Sequence, residues 1–438
     1  MPQHLWCLVN WLLDIPATFK ILGSLGMLLA LNAWGRHLSV SLLAGTVLLA
    51  VWCEHPLPAI ARIALERAGS VDHLLLLAVT FQVIWLSSQM AKAGVMNDLV
   101  AAVRSKVPRR AAIAVLPAMI GLLPMPGGAL FSAPLVDDCD EERTLSGLLK
   151  TRINYWFRHI WEYWWPLYPG VLLALAITGL DVWEVILIHL PITLFSIAGG
   201  TAFLLRQVPH LDEQPTASRT EPVASLLVLT SPILTVITVY AIVRLGFPSL
   251  ANFNRYVPMI LGLMAAALVQ QVQRPLRFQQ WKEVILSRKT LVLVVLVTLV
   301  RVYGAFIEAP TGSGLTPVEH MNADLTSWGI PMWAVAVLLP FIAGMATGLA
   351  IGFVGASFPI VVSLVGQDPA PAQLYPAVIL GYAFGHMGMM LSPVHICLVV
   401  TNEHFKTNLV HSMAGLIKPA LTVLAGAVLL AWAVGSLL

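Results

Sequence analysis

The chain has 438 residues, of which 58% are hydrophobic and only 11% are charged, and its mean hydropathy is +0.82. A soluble protein of this composition would expose far too much apolar surface to water, so the composition excludes a soluble globular fold. It predicts instead an all-α polytopic membrane protein, because helices satisfy their own backbone groups in lipid. The small net charge of +3 fits basic loops, and we expect membrane lipid rather than nucleic acid as a partner.

Apolar stretches long enough to cross a bilayer, at about 20 residues per helix, predict about ten spanning helices. They lie near residues 19–33, 38–53, 71–90, 155–178, 182–205, 223–246, 255–272, 287–308, 372–402 and 411–437. Two further stretches, 111–136 and 329–366, are interrupted by prolines and glycines. Each predicts a re-entrant helical hairpin, with a proline-kinked packing helix as the alternative for the first.

The distribution of basic residues favours the two hairpins. Treating both stretches as hairpins places most of the 25 lysines and arginines in loops on one side, which is the cytoplasmic side by the positive-inside rule. Both termini are then predicted outside a prokaryotic cytoplasmic (inner) membrane. The first hairpin enters from the cytoplasm, the second enters from outside, and the polar run 206–222 is a cytoplasmic linker.

One sequence pattern occurs twice. Tyr155, Phe157, His159 and Pro166 recur 227 positions later, and upstream residues match at offsets of 223 and 225; the matching residues are Tyr382, Phe384, His386 and Pro393, with Pro117/Pro340, Gly121/Gly344, Ser132/Ser357 and Pro134/Pro359 upstream. Five spans and one hairpin per copy make an odd number of crossings, so the copies are predicted to insert upside down relative to each other. Residues 1–205 form the first repeat and 223–438 the second, and inverted repeats with interrupted helices are typical of secondary transporters.

The hairpins supply the first group of predicted solute-binding residues. Prolines remove backbone donors and glycines let a backbone approach a ligand closely, and irregular backbone in a membrane is tolerated where protein or water surrounds it. The residues named on this basis are Pro126, Gly127, Gly128 and Ser132 in the first hairpin and Thr347, Gly348 and Ser357 in the second.

Each hairpin is followed by a span that is broken at a matched proline, Pro166 or Pro393. A broken helix leaves backbone dipoles free at mid-membrane depth, and these ends bind ions and solutes in such transporters. Trp165 beside the first break, and Ser392 and His395 beside the second, complete the predicted solute site.

Ionisable groups within spans are costly and indicate function by default. Arg158, His159 and Glu162 precede the first break, and His386 is the repeat counterpart of His159. We predict that Glu162, His159 and His386 bind the coupling ion while Arg158 holds an anionic solute. The alternatives are a structural Arg158–Glu162 ion pair and, from the Glu-His spacing, a metal site, for which no facing second pair exists in the sequence.

The cysteines and the acidic residues after the first hairpin are predicted to have no binding role. The four cysteines, Cys7, Cys53, Cys139 and Cys397, have no metal-binding or redox spacing. We therefore expect no metal and no cofactor beyond a coupling sodium ion or proton. A Cys7–Cys53 disulfide remains open. The acidic run from Asp137 to Glu142 is interpreted as a solvated cytoplasmic loop.

The run from Leu123 to Pro134 and the later run from Met390 to His395 resemble an uncharacterised family of prokaryotic integral membrane proteins in the ion transporter superfamily. That superfamily includes divalent anion:sodium symporters, gluconate and citrate permeases, and sodium/proton antiporters. The resemblance implies an elevator-type homodimer. Its scaffold would be the spans within 19–90 and 223–308, and its moving domain 111–205 with 329–438. The Ser-Asn-Thr signature of carboxylate symporters is absent from both hairpin tips.

The sequence thus predicts an ion-coupled secondary transporter of a small, anionic organic solute, and not an enzyme. The sequence contains no GxxxxGK[ST] motif for binding ATP, which argues against an ATP-driven pump. A cation/proton antiporter and a membrane-embedded enzyme remain as alternatives.

Overall fold

The computed structural model describes residues 15–95, 98, 107–122, 128–140, 143–209, 223–285, 287–366 and 368–438. All regular secondary structure in these ranges is helical, as the composition predicts. Five of the described helices are long and apolar enough to cross a membrane, or six if one bent pair is counted as a single span, and several shorter helices are also apolar. The chain is therefore a polytopic, membrane-embedded helical protein.

Most of the helices lie within predicted spans or hairpins, whereas residues 57–69, 248–253, 278–285 and 317–327 form helices where none was predicted. In the N-terminal half they are α1 (Ala17–Ala33), α2 (Leu38–Trp52), α3 (Leu57–Gly69), α4 (Val71–Lys92), α5 (Arg109–Gly121), α6 (Ala129–Asp138), α7 (Gly147–Arg158), α8 (Pro169–Thr178) and α9 (Val182–Phe203). In the C-terminal half they are α10 (Val223–Gly246), α11 (Pro248–Phe253), α12 (Val257–Gln273), α13 (Phe278–Ile285), α14 (Arg288–Glu308), α15 (Pro317–Ser327), α16 (Met332–Thr347), α17 (Ala350–Val365), α18 (Pro371–Met390), α19 (Ile396–Phe405) and α20 (Leu409–Leu437).

The two stretches with predicted hairpins each contain two helices that pack against each other. These are α5 with α6, and α16 with α17. In the second pair the chain turns at Gly348, whose φ of +61° lies in the left-handed region that favours glycine. The segment 123–127, where the first turn was predicted, lies outside the described residues, as do Cys7 and the linker from residue 210 onward.

The predicted spans 155–178 and 372–402 are both interrupted. Helix α7 ends at Arg158 and α8 begins at Pro169, while α18 ends at Met390 and α19 begins at Ile396. The helices after the interruptions pack crosswise: α8 lies against α17 of the C-terminal half, and α19 lies against α6 of the N-terminal half. The ends of the four helices that flank the two interruptions therefore lie close together.

The same close contact occurs once in each half. A side chain at Gly121 would collide with the carbonyl oxygen of Arg158, and a side chain at Gly344 would collide with that of Gly385. Arg158 and Gly385 are 227 positions apart, which is the offset of the duplicated pattern. Only glycine allows α5 to lie this close to α7 and α16 to lie this close to α18.

The loop that leads into α7, the helix that ends at Arg158, is anchored by a buried carboxylate. Asp140 accepts hydrogen bonds from the Thr144 and Leu145 amides at 2.8 and 3.1 Å, and Lys150 Nζ lies 3.0 Å from it. Asp140 is only 2% exposed. The interpretation of this run as a wholly solvated loop is therefore wrong at Asp140, because its partners lie later in the chain than the run itself; Glu141 and Glu142 lie outside the described residues.

Replacing Asp140 tests how this loop anchors α7. Burial alone would raise the pKa of Asp140, but hydrogen bonds from Lys150, Leu145 and Thr144 outweigh it and lower the pKa from its ordinary value. A carboxylate with a lowered pKa stabilises the fold at pH values above its ordinary pKa of about 3.9. This stabilisation disappears as the pH falls through the lowered pKa. We expect Asp140→Asn to cost about 1.5–3 kcal/mol at neutral pH, as for hydrogen bonds to charged groups.

Unfolding is measured in detergent at several pH values. The difference in unfolding free energy between wild type and Asp140→Asn should become smaller as the pH is lowered toward about 3. The control is Asp137→Asn, whose half-exposed carboxylate also contacts Lys150 and should cost less. An Asp140→Asn deficit that does not change with pH would contradict the assignment.

Candidate functional site

The first interruption holds a histidine whose tautomer is fixed by the backbone. His159 Nδ1 lies 2.6 Å from the carbonyl oxygen of Tyr155, which can only accept a hydrogen bond. In its neutral form the imidazole therefore carries its proton on Nδ1 and presents a lone pair at Nε2. This lone pair faces the interior, where His159 is 1% exposed.

Three polar groups from both halves surround His159 Nε2. His395 Nε2 lies at 3.2 Å, Arg158 Nη1 at 3.3 Å and Glu162 Oε1 at 3.8 Å. Arg158 Nη1 also lies 3.3 Å from the sulfur of Cys397. The two interruptions thus bring a guanidinium, a carboxylate, two imidazoles and a thiol into one buried cluster, which we call the polar cluster.

The carboxylate of Glu162 lies between two histidines. Its Oε2 is 3.5 Å from His386 Nε2, and its Oε1 faces His159. Among the described ion pairs Glu162 has these two imidazoles as partners and not Arg158. The alternative of an Arg158–Glu162 pair thus omits these two imidazoles, while Arg158 acts on the carboxylate through its charge. His386 in turn packs against the ring of Tyr163, with centroids 4.3 Å apart.

Two buried tyrosines join the halves reciprocally. Tyr155 donates its hydroxyl hydrogen bond to the carbonyl of Met390 at 3.1 Å, and Tyr382 donates to the carbonyl of Glu162 at 2.9 Å. Each tyrosine, 227 positions from the other, reaches the interruption of the opposite half. These bonds satisfy carbonyl groups that the broken helices leave without helical partners.

A cavity of about 220 Å³ opens beside the polar cluster. Its polar lining comes from Arg158, His159, Glu162, His395 and Cys397, and apolar residues of α2, α14 and α17 form much of the remainder. The volume is below the range of about 300–1,000 Å³ that is typical of pockets for drug-sized ligands. The cavity is therefore of a size for a small molecule.

The turn between α16 and α17 lies against this site. A side chain at Gly348 would lie 2.9 Å from the backbone nitrogen of His395, so the turn rests on the second interruption. Gly128, at the start of α6, lies against the guanidinium of Arg158 in the same way. Gly128 and Gly348, the two predicted glycines that the structure describes, therefore both lie against this site.

Other predicted residues lie near the site but bind backbone instead of lining the cavity. Their polar groups donate to carbonyls: Thr347 to Ala343 at 2.7 Å, Ser357 to Phe353 at 2.6 Å, Ser392 to Met345 at 2.6 Å and Trp165 to Leu122 at 2.8 Å. Ser132 is buried in α6 and does not line the cavity. Pro126 and Gly127 lie outside the described residues.

Sequence reasoning missed Cys397 and gave Tyr155, Tyr168 and Tyr382 no role. Cys397 stands two residues after His395, a spacing that resembles no known metal motif. Tyr168 lines the cavity and donates to the carbonyl of Gly121. The recurrence of Tyr155 at Tyr382 was the available signal for the tyrosines, since a repeated buried hydroxyl needs a repeated acceptor.

Substitution of Gly348 should separate backbone strain from the close approach to His395. Gly179 also has a positive φ, +77°, but a Cβ added there would lie 3.7 Å from its nearest neighbouring atom, which is an ordinary contact distance. We expect Gly179→Ala to cost about 1–2 kcal/mol, the usual penalty of the left-handed conformation. Gly348→Ala should cost roughly 1–3 kcal/mol more, because the turn must move away from His395. Equal melting temperatures for the two variants would contradict this contact.

No curated protein matches this chain. A family model described as "Protein of unknown function (DUF401)" matches residues 21–434, which is nearly the whole sequence. The match covers both interruptions, both helical pairs and the polar cluster between them. The chain therefore belongs to the DUF401 family.

Proposed function

We propose that this protein is an ion-coupled secondary active transporter of a small anionic organic solute, acting across the prokaryotic cytoplasmic membrane. The observation that carries the proposal is the cavity lined by Arg158, Glu162 and His395, at the meeting of two interrupted spans. A charged cluster this deep among membrane helices is costly unless it serves a solute or ion pathway. The proposal accounts for its charge and its location together.

Arg158 supports an anionic solute. Its guanidinium lines the cavity, is 2% exposed, and contacts the His159 imidazole and the Cys397 sulfur. A planar guanidinium can donate two parallel hydrogen bonds to the two oxygens of one carboxylate. This interaction is strongest where water is excluded. A carboxylate bound in the cavity would form such a pair with Arg158.

Glu162 supports coupling to a cation. Its carboxylate lines the same cavity, lies between His159 and His386, and follows directly on the end of α7. A proton or sodium ion at this carboxylate would offset its charge while the solute offsets that of Arg158. Because Arg158 and Glu162 carry opposite charges, loading one anion and one cation together keeps the net charge of the cluster at zero, whereas either ligand alone would leave a net charge in an apolar interior.

The matched contacts support two inverted repeats in an elevator arrangement. The Gly121 and Gly344 contacts and the Tyr155 and Tyr382 hydrogen bonds occur at equivalent positions of the two halves. Helices within 17–92 and 223–308 would form the scaffold of a homodimer, and those within 109–203 and 332–437 the moving domain. The described polar contacts between these groups include Arg244–Asp181, Arg301 to the Ala176 carbonyl at 2.7 Å, and Asn32 to the Ala346 carbonyl at 3.2 Å.

Variants of Glu162 and Arg158 test the transport role. In proteoliposomes loaded with organic acids selected by thermal stabilisation of the purified protein, Glu162→Gln should abolish gradient-driven accumulation and leave solute exchange. Arg158→Ala should weaken solute binding at least about tenfold, as expected for loss of one charged hydrogen bond. Glu283→Gln, which removes an exposed carboxylate paired with Lys92, is the control and should behave as wild type.

Three results would count against this role. Unchanged accumulation in Glu162→Gln would remove the coupling assignment. Proton release on adding sodium, with no organic solute needed, would favour cation/proton antiport. Turnover of a substrate by the purified protein would favour the membrane-embedded enzyme instead.

A cross-linking comparison tests the elevator movement. Cysteines at Arg244 and Asp181 would join the proposed scaffold to the proposed moving domain, because these side chains form an ion pair. Cysteines at Tyr375 and Glu184, joined by a 2.6 Å hydrogen bond, both lie in the moving domain. A short bifunctional thiol reagent should arrest transport in the first pair and spare the second. Equal arrest of both pairs, or of the parent chain, would contradict a rigid-body elevator.

A further inference from the structure

Three side chains of the polar cluster converge as ligands of a metal ion would. The imidazoles of His159 and His395 and the sulfur of Cys397 place one ligand atom each within 4.8 Å of the others. All three residues are buried and all three line the cavity. This convergence involves both halves of the chain, so the sequence spacing alone gives no sign of it.

The distance between the two imidazoles fits tetrahedral coordination. Two nitrogens bound to one Zn²⁺ at 2.0–2.1 Å with a tetrahedral angle lie about 3.3 Å apart, and His159 Nε2 lies 3.2 Å from His395 Nε2. The hydrogen bond of His159 Nδ1 to the Tyr155 carbonyl directs the Nε2 lone pair into the cluster. Metal-binding histidines are commonly oriented by a carbonyl in this way.

A fourth ligand lies within reach. Glu162 Oε1 is 3.8 Å from His159 Nε2, close enough for a small movement of the carboxylate to complete a tetrahedron. Two imidazoles, one thiolate and one carboxylate suit Zn²⁺ and related divalent ions better than magnesium or calcium, which prefer oxygen ligands. A divalent ion with one thiolate and one carboxylate is neutral overall, which lowers the cost of holding it in a dry interior.

We propose that His159, His395 and Cys397, with Glu162 as the fourth ligand, form a binding site for a divalent transition-metal ion of the zinc type. On binding, the Cys397 thiol releases its proton to water in the cavity and the thiolate forms the bond to the metal. No electron is transferred. The site shares Glu162 and His159 with the transport proposal, but its test is independent of that proposal, because metal binding requires neither a solute nor a gradient.

Arg158 competes with the metal for the same electron pairs. Its Nη1 lies 3.3 Å from both His159 Nε2 and Cys397 Sγ, so it stands where the cation would approach these ligands. Because Arg158 also lines the cavity, its side chain has space to withdraw when the metal binds. Removing this positive charge should therefore strengthen metal binding, the opposite of its expected effect on an anionic solute.

Cobalt provides a direct test on the full chain. Purified protein in detergent, stripped of metal with a chelator, is titrated with Co²⁺ alone. We expect one equivalent to give the visible bands of tetrahedral cobalt and the ultraviolet band of a cobalt–thiolate bond, both removed by Zn²⁺. Absence of the thiolate band in wild type at saturating cobalt would overturn the proposal, and this result does not depend on any variant folding.

Variants then identify the ligands. Cys397→Ser should abolish the thiolate band, and it and His395→Gln should each weaken cobalt binding by more than the roughly 10- to 100-fold that loss of an outer partner costs. Cys139→Ser, which removes a buried thiol outside the cluster, should leave both bands unchanged. Arg158→Ala should bind cobalt at least as tightly as wild type. A thiolate band that persists in Cys397→Ser, or is lost in Cys139→Ser, would overturn the assignment.

Discussion

The structure depends on satisfying the backbone groups of two helices that end inside an apolar protein. Water is scarce there, and each unpaired carbonyl would cost about 1–3 kcal/mol. Tyr155 and Tyr382 meet this requirement by donating hydroxyl hydrogen bonds to carbonyls at the opposite interruption. Because each bond crosses between the halves, neither interruption is satisfied by its own half alone.

The same constraint explains the glycines around the interruptions. Helices α5 and α16 approach the carbonyls of Arg158 and Gly385 at positions where only Gly121 and Gly344 leave space. The turn at Gly348 rests on the backbone before His395. Backbone is therefore packed against backbone around the site, which holds the polar cluster in place beside a small cavity.

Charge is the second constraint on the site. A buried guanidinium and a buried carboxylate are each costly, and in this cluster both lie beside side chains whose contacts can change when a ligand binds. Arg158 contacts a thiol and an imidazole, while Glu162 lies between two imidazoles. An anion, a proton, a sodium ion or a divalent metal ion would each change the balance of this cluster, so its ligands are expected to influence one another.

The sequence by itself determined the helical membrane class and the places where two spans break, because hydropathy and proline positions act locally along the chain. It also singled out Arg158, His159 and Glu162, since ionisable residues within apolar stretches stand out, and His395, which stands beside a break. It could not bury Asp140, place His395 against His159, or bring Cys397 to Arg158 and His159. Those contacts join residues from separate segments, and only tertiary packing decides which side chains share a dry interior.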